Sequence, residues 1–246
     1  MIVEANNLSE TKEQPILPDP TFATCKVAVL IGNGGRLQAI VAGTQIAGSR
    51  AELALVVSYK QYSVGLEWAR QNGLAAQYLG WADWKAKAQS RAEFDIALAD
   101  LLEQHKIELV VLAGWGLLLS PPFLARFPGR LINVHPALLT ATLADKVALS
   151  DGRLIPVFRG NHAIEEAWAA KVPVTGCTVH YVTEEMDVGP VILKREVPRL
   201  PDDTLESLKA HIHAAEEEIL PLAIQLVCQK LILTGEESRV NIQERV

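Results

Sequence analysis

Three residues have the types and spacing to work on an acyl group. Asn133 and His135 stand in Asn133-Val134-His135-Pro136-Ala137-Leu138-Leu139, and Asp187 in Met186-Asp187-Val188-Gly189-Pro190. All lie just beyond apolar runs with the pattern of buried strands. An amide, an imidazole and a carboxylate suit acyl transfer to an amine. The amine is its own nucleophile, so no Ser or Cys triad is required. The site must stabilise a tetrahedral oxyanion and give protons a route. Taken singly, each residue also has a plainer role: a structural His-Pro, a loop-bonding Asn, a turn Asp.

A second feature is Gly32-Asn33-Gly34-Gly35-Arg36, between an apolar run and a helical pattern. Glycines let backbone N–H groups approach an anion, a helix N-terminus adds partial positive charge, and Arg36 could add a charge-assisted contact. A tight strand-to-helix turn explains the same residues equally well. The dinucleotide fingerprint is incomplete, because Leu37 replaces its third glycine and Ser58-Tyr59-Lys60 offers no acid to a ribose. No Gly-Lys-Ser/Thr follows, which excludes a P-loop.

The elements that must position these groups alternate. Buried strands are expected at 27–31, 53–57, 76–79 and 107–112, with helices at 37–46, 64–72 (closed by Gly73) and 84–104. From His135 to Pro156 no periodicity is visible. A helix at 161–170 follows, then strands at 174–182 and 191–197 whose hairpin-like pairing leaves Asp187 in the connection. A last helix runs from 203 to about 232, with Asp203 as its cap and Glu206 three positions on. This order predicts an α/β fold: an open, mainly parallel Rossmann-like sheet with helices on both faces. Ligands sit beyond the carboxyl ends of such strands, where loops 32–35, 114–116 and 133–135 fall. The chain divides into a flexible leader (1–25), one domain (26–235, its halves meeting near 125) and a polar, frayed tail (236–246).

The 246 residues carry a net charge of −6, with 49% apolar and 21% charged. That composition supports a sizeable core and argues against a general nucleic-acid binder. Cys25, Cys177 and Cys228 are far apart, with no metal-ligand spacing, which fits reduced cysteines in the cytoplasm. No run reaches membrane-spanning length, and acids and prolines in the first 24 residues break any signal-peptide core.

Two longer segments make the constellation specific. Arg130 to Leu139, and Gly176-Cys177-Thr178-Val179-His180-Tyr181-Val182-Thr183-Glu184-Glu185-Met186-Asp187-Val188-Gly189-Pro190-Val191-Ile192-Leu193, resemble the signature segments of 10-formyltetrahydrofolate-dependent formyltransferases. The likeness is closest to the branch that formylates 5-phosphoribosylglycinamide, and it covers about residues 26 to 232. Val110-Val111-Leu112-Ala113-Gly114-Trp115 and the glycine loop also match.

The resemblance implies Asn133, His135 and Asp187 as the catalytic trio. His135 would be the general acid, Asn133 a second donor to the formyl oxygen, and Asp187 the group that keeps His135 charged and relays a proton. It implies acceptor binding by Gly34, Gly35 and Arg36 at the phosphate, and by His213, Ala214, Ala215 and Glu216 at the glycinamide end. It implies folate binding by Arg91, Gly116, Leu117, Leu118, Leu119 and Asn133, and by Thr183, Glu184, Glu185, Met186 and Asp187. The implied function is formyl transfer in purine biosynthesis, from 10-formyltetrahydrofolate as co-substrate, without a metal. The implied partners are these small molecules, with neither nucleic acid nor membrane, in a monomer or homodimer.

The sequence departs from that pattern at three places. Gly34-Gly35-Arg36 stands where relatives read Gly-Ser-Asn or Gly-Thr-Asn. Leu139 is followed by Thr140 and a lengthened segment, 140–157, before Phe158-Arg159-Gly160-Asn161-His162; such a segment could be a lid. Leu117 stands where many relatives carry an arginine. A sugar-amine or methionyl-tRNA acceptor, and a non-catalytic folate- or nucleotide-binding relative, remain the alternatives.

Overall fold

The computed structural model describes residues 23–243, and side chains through 234. Residues 1–22, most of the expected leader, and 244–246 lie outside the described residues.

A seven-stranded sheet forms the centre, in the order β3-β2-β1-β4-β5-β8-β9. Its strands are β1 (Cys25–Ile31), β2 (Ala51–Ser58), β3 (Ala76–Tyr78), β4 (Leu109–Ala113), β5 (Leu131–His135), β8 (Val174–Tyr181) and β9 (Val191–Pro198). The first five run parallel, and β8 and β9 are antiparallel to their neighbours. This is the expected open, mainly parallel α/β sheet. Along β1, Val27, Val29 and Ile31 face one core while Ala28 and Leu30 face another. Both faces are covered, so the strand reads as a continuous apolar run rather than an alternation. Helices α1 (Leu37–Thr44) and α7 (Leu205–Gln243) cover the first face, and α4 (Arg91–Gln104) the second. The strand order reverses between β1 and β4, which opens a crevice at their carboxyl ends.

Four local features differ from the sequence expectation. The helix expected at 84–104 is two helices, α3 (Trp81–Ala86) and α4, separated at Ala88, which has φ 56°. Ser90 starts the second with a capping box: its Oγ accepts from the Glu93 amide, and Glu93 accepts from the Ser90 amide. Trp81 and Trp84 both meet Phe94 edge-on, which folds α3 back onto α4.

The segment 140–157 is a hairpin, not an irregular loop. Strands β6 (Lys146–Ala148) and β7 (Leu154–Pro156) pair around an Asp151-Gly152 turn. Three-residue strands are too short to show a period, so the turn dipeptide was their main sequence signal. Val147 and Ile155 point inward to a small cluster with Leu138, Leu149 and Val174. The hairpin is tied at both ends. At its tip Ser150 donates its amide (2.6 Å) and hydroxyl (3.0 Å) to Glu196 on β9. At its base Arg159 donates to the carbonyls of Thr142 (2.9 Å) and Ala144 (3.2 Å). These ties argue against a freely swinging lid.

At the start of α7 the cap is Thr204, whose Oγ1 accepts from the Ser207 amide at 3.1 Å. Asp203 is occupied instead by the Leu200 amide and the Ser207 hydroxyl, at 2.7 Å each. The helix continues past Gly235 to Gln243, where a frayed tail was expected. A single glycine weakens a helix by only about 1 kcal/mol and need not end it. Pro221 lies inside α7 and seats against α1 at Gly43; a Cβ at Gly43 would lie 2.4 Å from the Pro221 Cβ. Among the described residues no helix is long and apolar enough to cross a membrane.

Candidate active site

The register of β5 against β8 builds the site. Asn133 lies opposite His180 and His135 opposite Thr178, so these side chains meet across the antiparallel pair. Thr178 is fully buried; its Oγ1 donates to Ala137 O at 2.8 Å and accepts from the Leu139 amide at 3.0 Å. This pins the chain just after His135. The β8–β9 connection then brings in Asp187, whose φ of 55° puts it in the left-handed region. Asp tolerates that conformation better than most residues, and such backbone recurs at functional sites.

Three contacts define the trio. Nδ1 of His135 lies 3.4 Å from Oδ2 of Asp187. That Oδ2 also accepts from the Gly160 amide at 2.7 Å, and Nε2 of His135 contacts Phe158 O at 2.9 Å. A carbonyl only accepts, so Nε2 carries the hydrogen and Nδ1 is the position that takes up a second proton. His180 is fixed by the same logic. Its Nδ1–H donates to Tyr181 O (2.9 Å), leaving Nε2 to accept from Nδ2 of Asn133 (3.3 Å). His180 thus sets which way the Asn133 amide points. His180 stands inside the Gly176–Leu193 motif, but its role follows from its register opposite Asn133, which only the folded sheet reveals.

These groups line a cavity of about 610 Å³ at the carboxyl ends of β4 and β5. Its walls include Gly116, Leu117, Leu118 and Leu119, and all of Thr183 to Asp187. Arg36, at the N-cap of α1, and Glu216, on α7, also line it. Nε and Nη2 of Arg36 both donate to Oε2 of Glu216.

The comparisons decide what this arrangement belongs to. The formyl transferase family model matches residues 25–142 and 150–224, and its gap falls on the first strand of the inserted hairpin. The chain belongs to the formyl transferase family. Two phosphoribosylglycinamide formyltransferases, from Haemophilus influenzae and Escherichia coli, are each 33% identical to it. The matches cover 81% and 80% of this chain, and 85% and 84% of theirs. The trifunctional purine biosynthetic protein adenosine-3 of Bos taurus is 37% identical over 87% of this chain, which spans only 19% of that protein. A crystal structure of glycinamide ribonucleotide transformylase 1 from Symbiobacterium toebii superposes with a TM-score of 0.73 at 38% identity, covering 84% of this chain and 89% of that one.

Within this formyl transferase fold the remaining expected residues lie outside the cavity wall. Arg91 does not line the cavity. Its Nε bonds Asp95 at 2.8 Å and its Nη2 bonds Leu118 O, while Asp95 also takes the Ser120 amide at 2.8 Å. Arg91 therefore supports the 116–119 loop from behind. Gly34 is also outside the cavity wall. Its φ is 83° and its missing Cβ lets the glycine loop touch Gly65 on α2 (Val64–Gln71), where a Cβ would lie 2.7 Å from the Gly65 Cα. Gly35 faces open space. His213, Ala214 and Ala215 precede Glu216 on α7 and do not line the cavity.

Electrostatics correct one expectation. Burial pushes the pKa of His135 below 6.5, more strongly than the charge of Asp187 raises it, and Arg159 adds to the lowering. Burial thus opposes the positive charge that Asp187 favours on His135. Burial likewise lowers His180. Glu216 moves the other way: burial pushes it up to about 7, although Arg36 opposes the shift. His213 falls to about 4, first through burial and then through the charge of Arg36.

Proposed function

We propose that the chain transfers the formyl group of 10-formyltetrahydrofolate to the amine of 5-phosphoribosylglycinamide, a step of purine biosynthesis. The observation that carries this reading is the meeting of Asn133, His135 and Asp187 in one cavity. The relatives whose length this chain matches bear that activity in their names.

The cavity suits a flat heteroaromatic substrate. Its volume lies within the range of small-molecule sites, with Leu117, Leu118 and Leu119 on one wall and the more polar Thr183 to Asp187 on the other. Those two loops hold the folate. Glu216 and the Arg36 segment receive the acceptor.

The amine attacks directly, without a covalent enzyme intermediate. The Asn133 amide, oriented by His180, supplies a donor to the developing oxyanion. His135 supplies a proton to the tetrahedral centre, whose collapse breaks the bond from the formyl carbon to the folate nitrogen and releases tetrahydrofolate carrying a proton on that nitrogen. When doubly protonated, both its N–H groups already have partners, Phe158 O and Asp187. Donation therefore requires giving up one of them, and the 3.4 Å contact to Asp187 is the looser. Asp187 then takes part in moving the amine proton away.

The test is turnover of the purified chain with both substrates, followed by absorbance of the released folate, beside a tube without acceptor. Acceptor-dependent release is expected. Release without acceptor would instead indicate a hydrolase, and no release would overturn the reading.

A further inference from the structure

The Arg36–Glu216 pair joins residues 180 positions apart in the wall of the cavity that holds His135 and Asn133. Arg36 precedes the first turn of α1 and is 18% exposed; Glu216 on α7 is 1% exposed. Its geometry is lopsided. Two guanidinium nitrogens converge on Oε2, and Oε1 has no protein hydrogen-bond partner among the described residues. A guanidinium built in for stability alone would be expected to fork across both oxygens. Burial also makes the carboxylate dependent on a cation: it is driven up to about 7 even with Arg36 beside it.

We propose that Arg36 and Glu216 are exchangeable partners, standing in for a zwitterionic acceptor that replaces their contact charge for charge. The anionic end of the acceptor draws Arg36 away, and the amine end takes its place on Glu216. This deepens the proposed function and rests on its phosphorylated amine acceptor.

The consequence is selectivity through pairing. A ligand with only an anion leaves the buried Glu216 without its cation, so the carboxyl must take up a proton or stand uncompensated. A ligand with only an amine leaves Arg36 without its carboxylate. Each mismatch costs affinity, because removing one partner of a buried pair leaves the other without compensation. A ligand carrying both groups leaves every charge paired. The two ends of the acceptor are therefore coupled through the protein, and the coupling is reciprocal.

The experiment splits the acceptor into fragments and reads binding alone. Ribose 5-phosphate and glycinamide are titrated into the native chain, each without and with saturating amounts of the other, by ligand-observed NMR. Each is expected to bind about tenfold tighter in the presence of the other, by the same factor in both directions. In Glu216→Gln, Arg36 is no longer held, so ribose 5-phosphate alone is expected to bind tighter than to the native chain, and the coupling disappears. A carboxylate that merely contacts the amine would leave phosphate affinity unchanged. Independent binding in the native chain overturns the proposal, as does unchanged or weaker ribose 5-phosphate binding in Glu216→Gln, or no binding of it to either form. Formylation of the whole acceptor is scored separately. Turnover with independent fragments defeats the exchange alone, and coupled fragments without turnover defeat the proposed reaction alone.

Discussion

One oxygen of Asp187 serves two partners: Oδ2 accepts from the Gly160 amide at 2.7 Å and faces Nδ1 of His135 at 3.4 Å. The carboxylate therefore both fixes the backbone after the inserted hairpin and holds the place of the second imidazole proton. Asp187→Asn keeps an acceptor for Gly160 and loses the charge. Burial already lowers the His135 pKa and Asp187 counteracts it, so the substitution lowers it further. Turnover near pH 7 is expected to fall by about 10²-fold or more, and the alkaline arm of the pH–rate profile to move to lower pH. An alkaline arm that stays in place would remove the proposed coupling.

His135→Ala removes the imidazole nearest Asp187, at 3.4 Å, and leaves His180 at 3.9 Å from the other carboxylate oxygen. Turnover is expected to drop by roughly 10²- to 10⁴-fold while folate affinity, measured by fluorescence quenching, stays close to native. Normal turnover would sink the assigned role.

Asn133→Ala deletes the donor that His180 orients. The expected loss is about 10²- to 10³-fold in kcat, with little change in KM for folate. A loss confined to KM would make Asn133 a binding residue rather than an oxyanion donor.

Glu216 supplies a stability signature. Its folded pKa, about 7, lies above its ordinary 4.5, so the folded protein binds the extra proton. Its contribution is fully present below about 4.5 and is lost as pH rises to about 7. Denaturation of Glu216→Gln beside the native chain should therefore show the variant gaining relative stability across that window, on the order of 3 kcal/mol. A pH-independent difference would mean that the carboxyl titrates normally.

Arg159 links the inserted hairpin to the imidazole. It donates to the Thr142 and Ala144 carbonyls, and its charge helps lower the His135 pKa. Arg159→Met should cost about 1–3 kcal/mol of stability. It should also speed amide exchange over 140–157 and shift the alkaline arm upward, opposite to Asp187→Asn. Unchanged exchange there would show that the Glu196 tie alone secures the hairpin.

The sheet was legible because β1, β2 and β4 are apolar on both faces, and continuous runs of that length have few other uses. Asn133 and His135 close one apolar run and Asp187 stands in the connection after another, but it is the resemblance of the surrounding segments to formyltransferase signatures that ties the three together. The hairpin at 146–156 escaped because three-residue strands carry no period. The split at Ala88 escaped although Ser90 and Glu93 spelled a capping box. The role of His180 depends on cross-strand register, and the Arg36–Glu216 contact on the packing of α1 against α7; neither relationship is local in sequence. The lowered pKa of His135 follows from burial, which sequence gives only indirectly.

Pro221 seated at Gly43 acts as a detent on the C-terminal helix. Glu216 lies about one and a half turns away, about 7.5 Å along the axis. A methyl group at position 43 has no room unless α7 slides or tips, and either motion carries the carboxylate relative to Arg36. A substitution at position 43 would therefore reach the Arg36–Glu216 contact from outside the cavity wall. A library built only on cavity-lining residues would miss the adjustment screw.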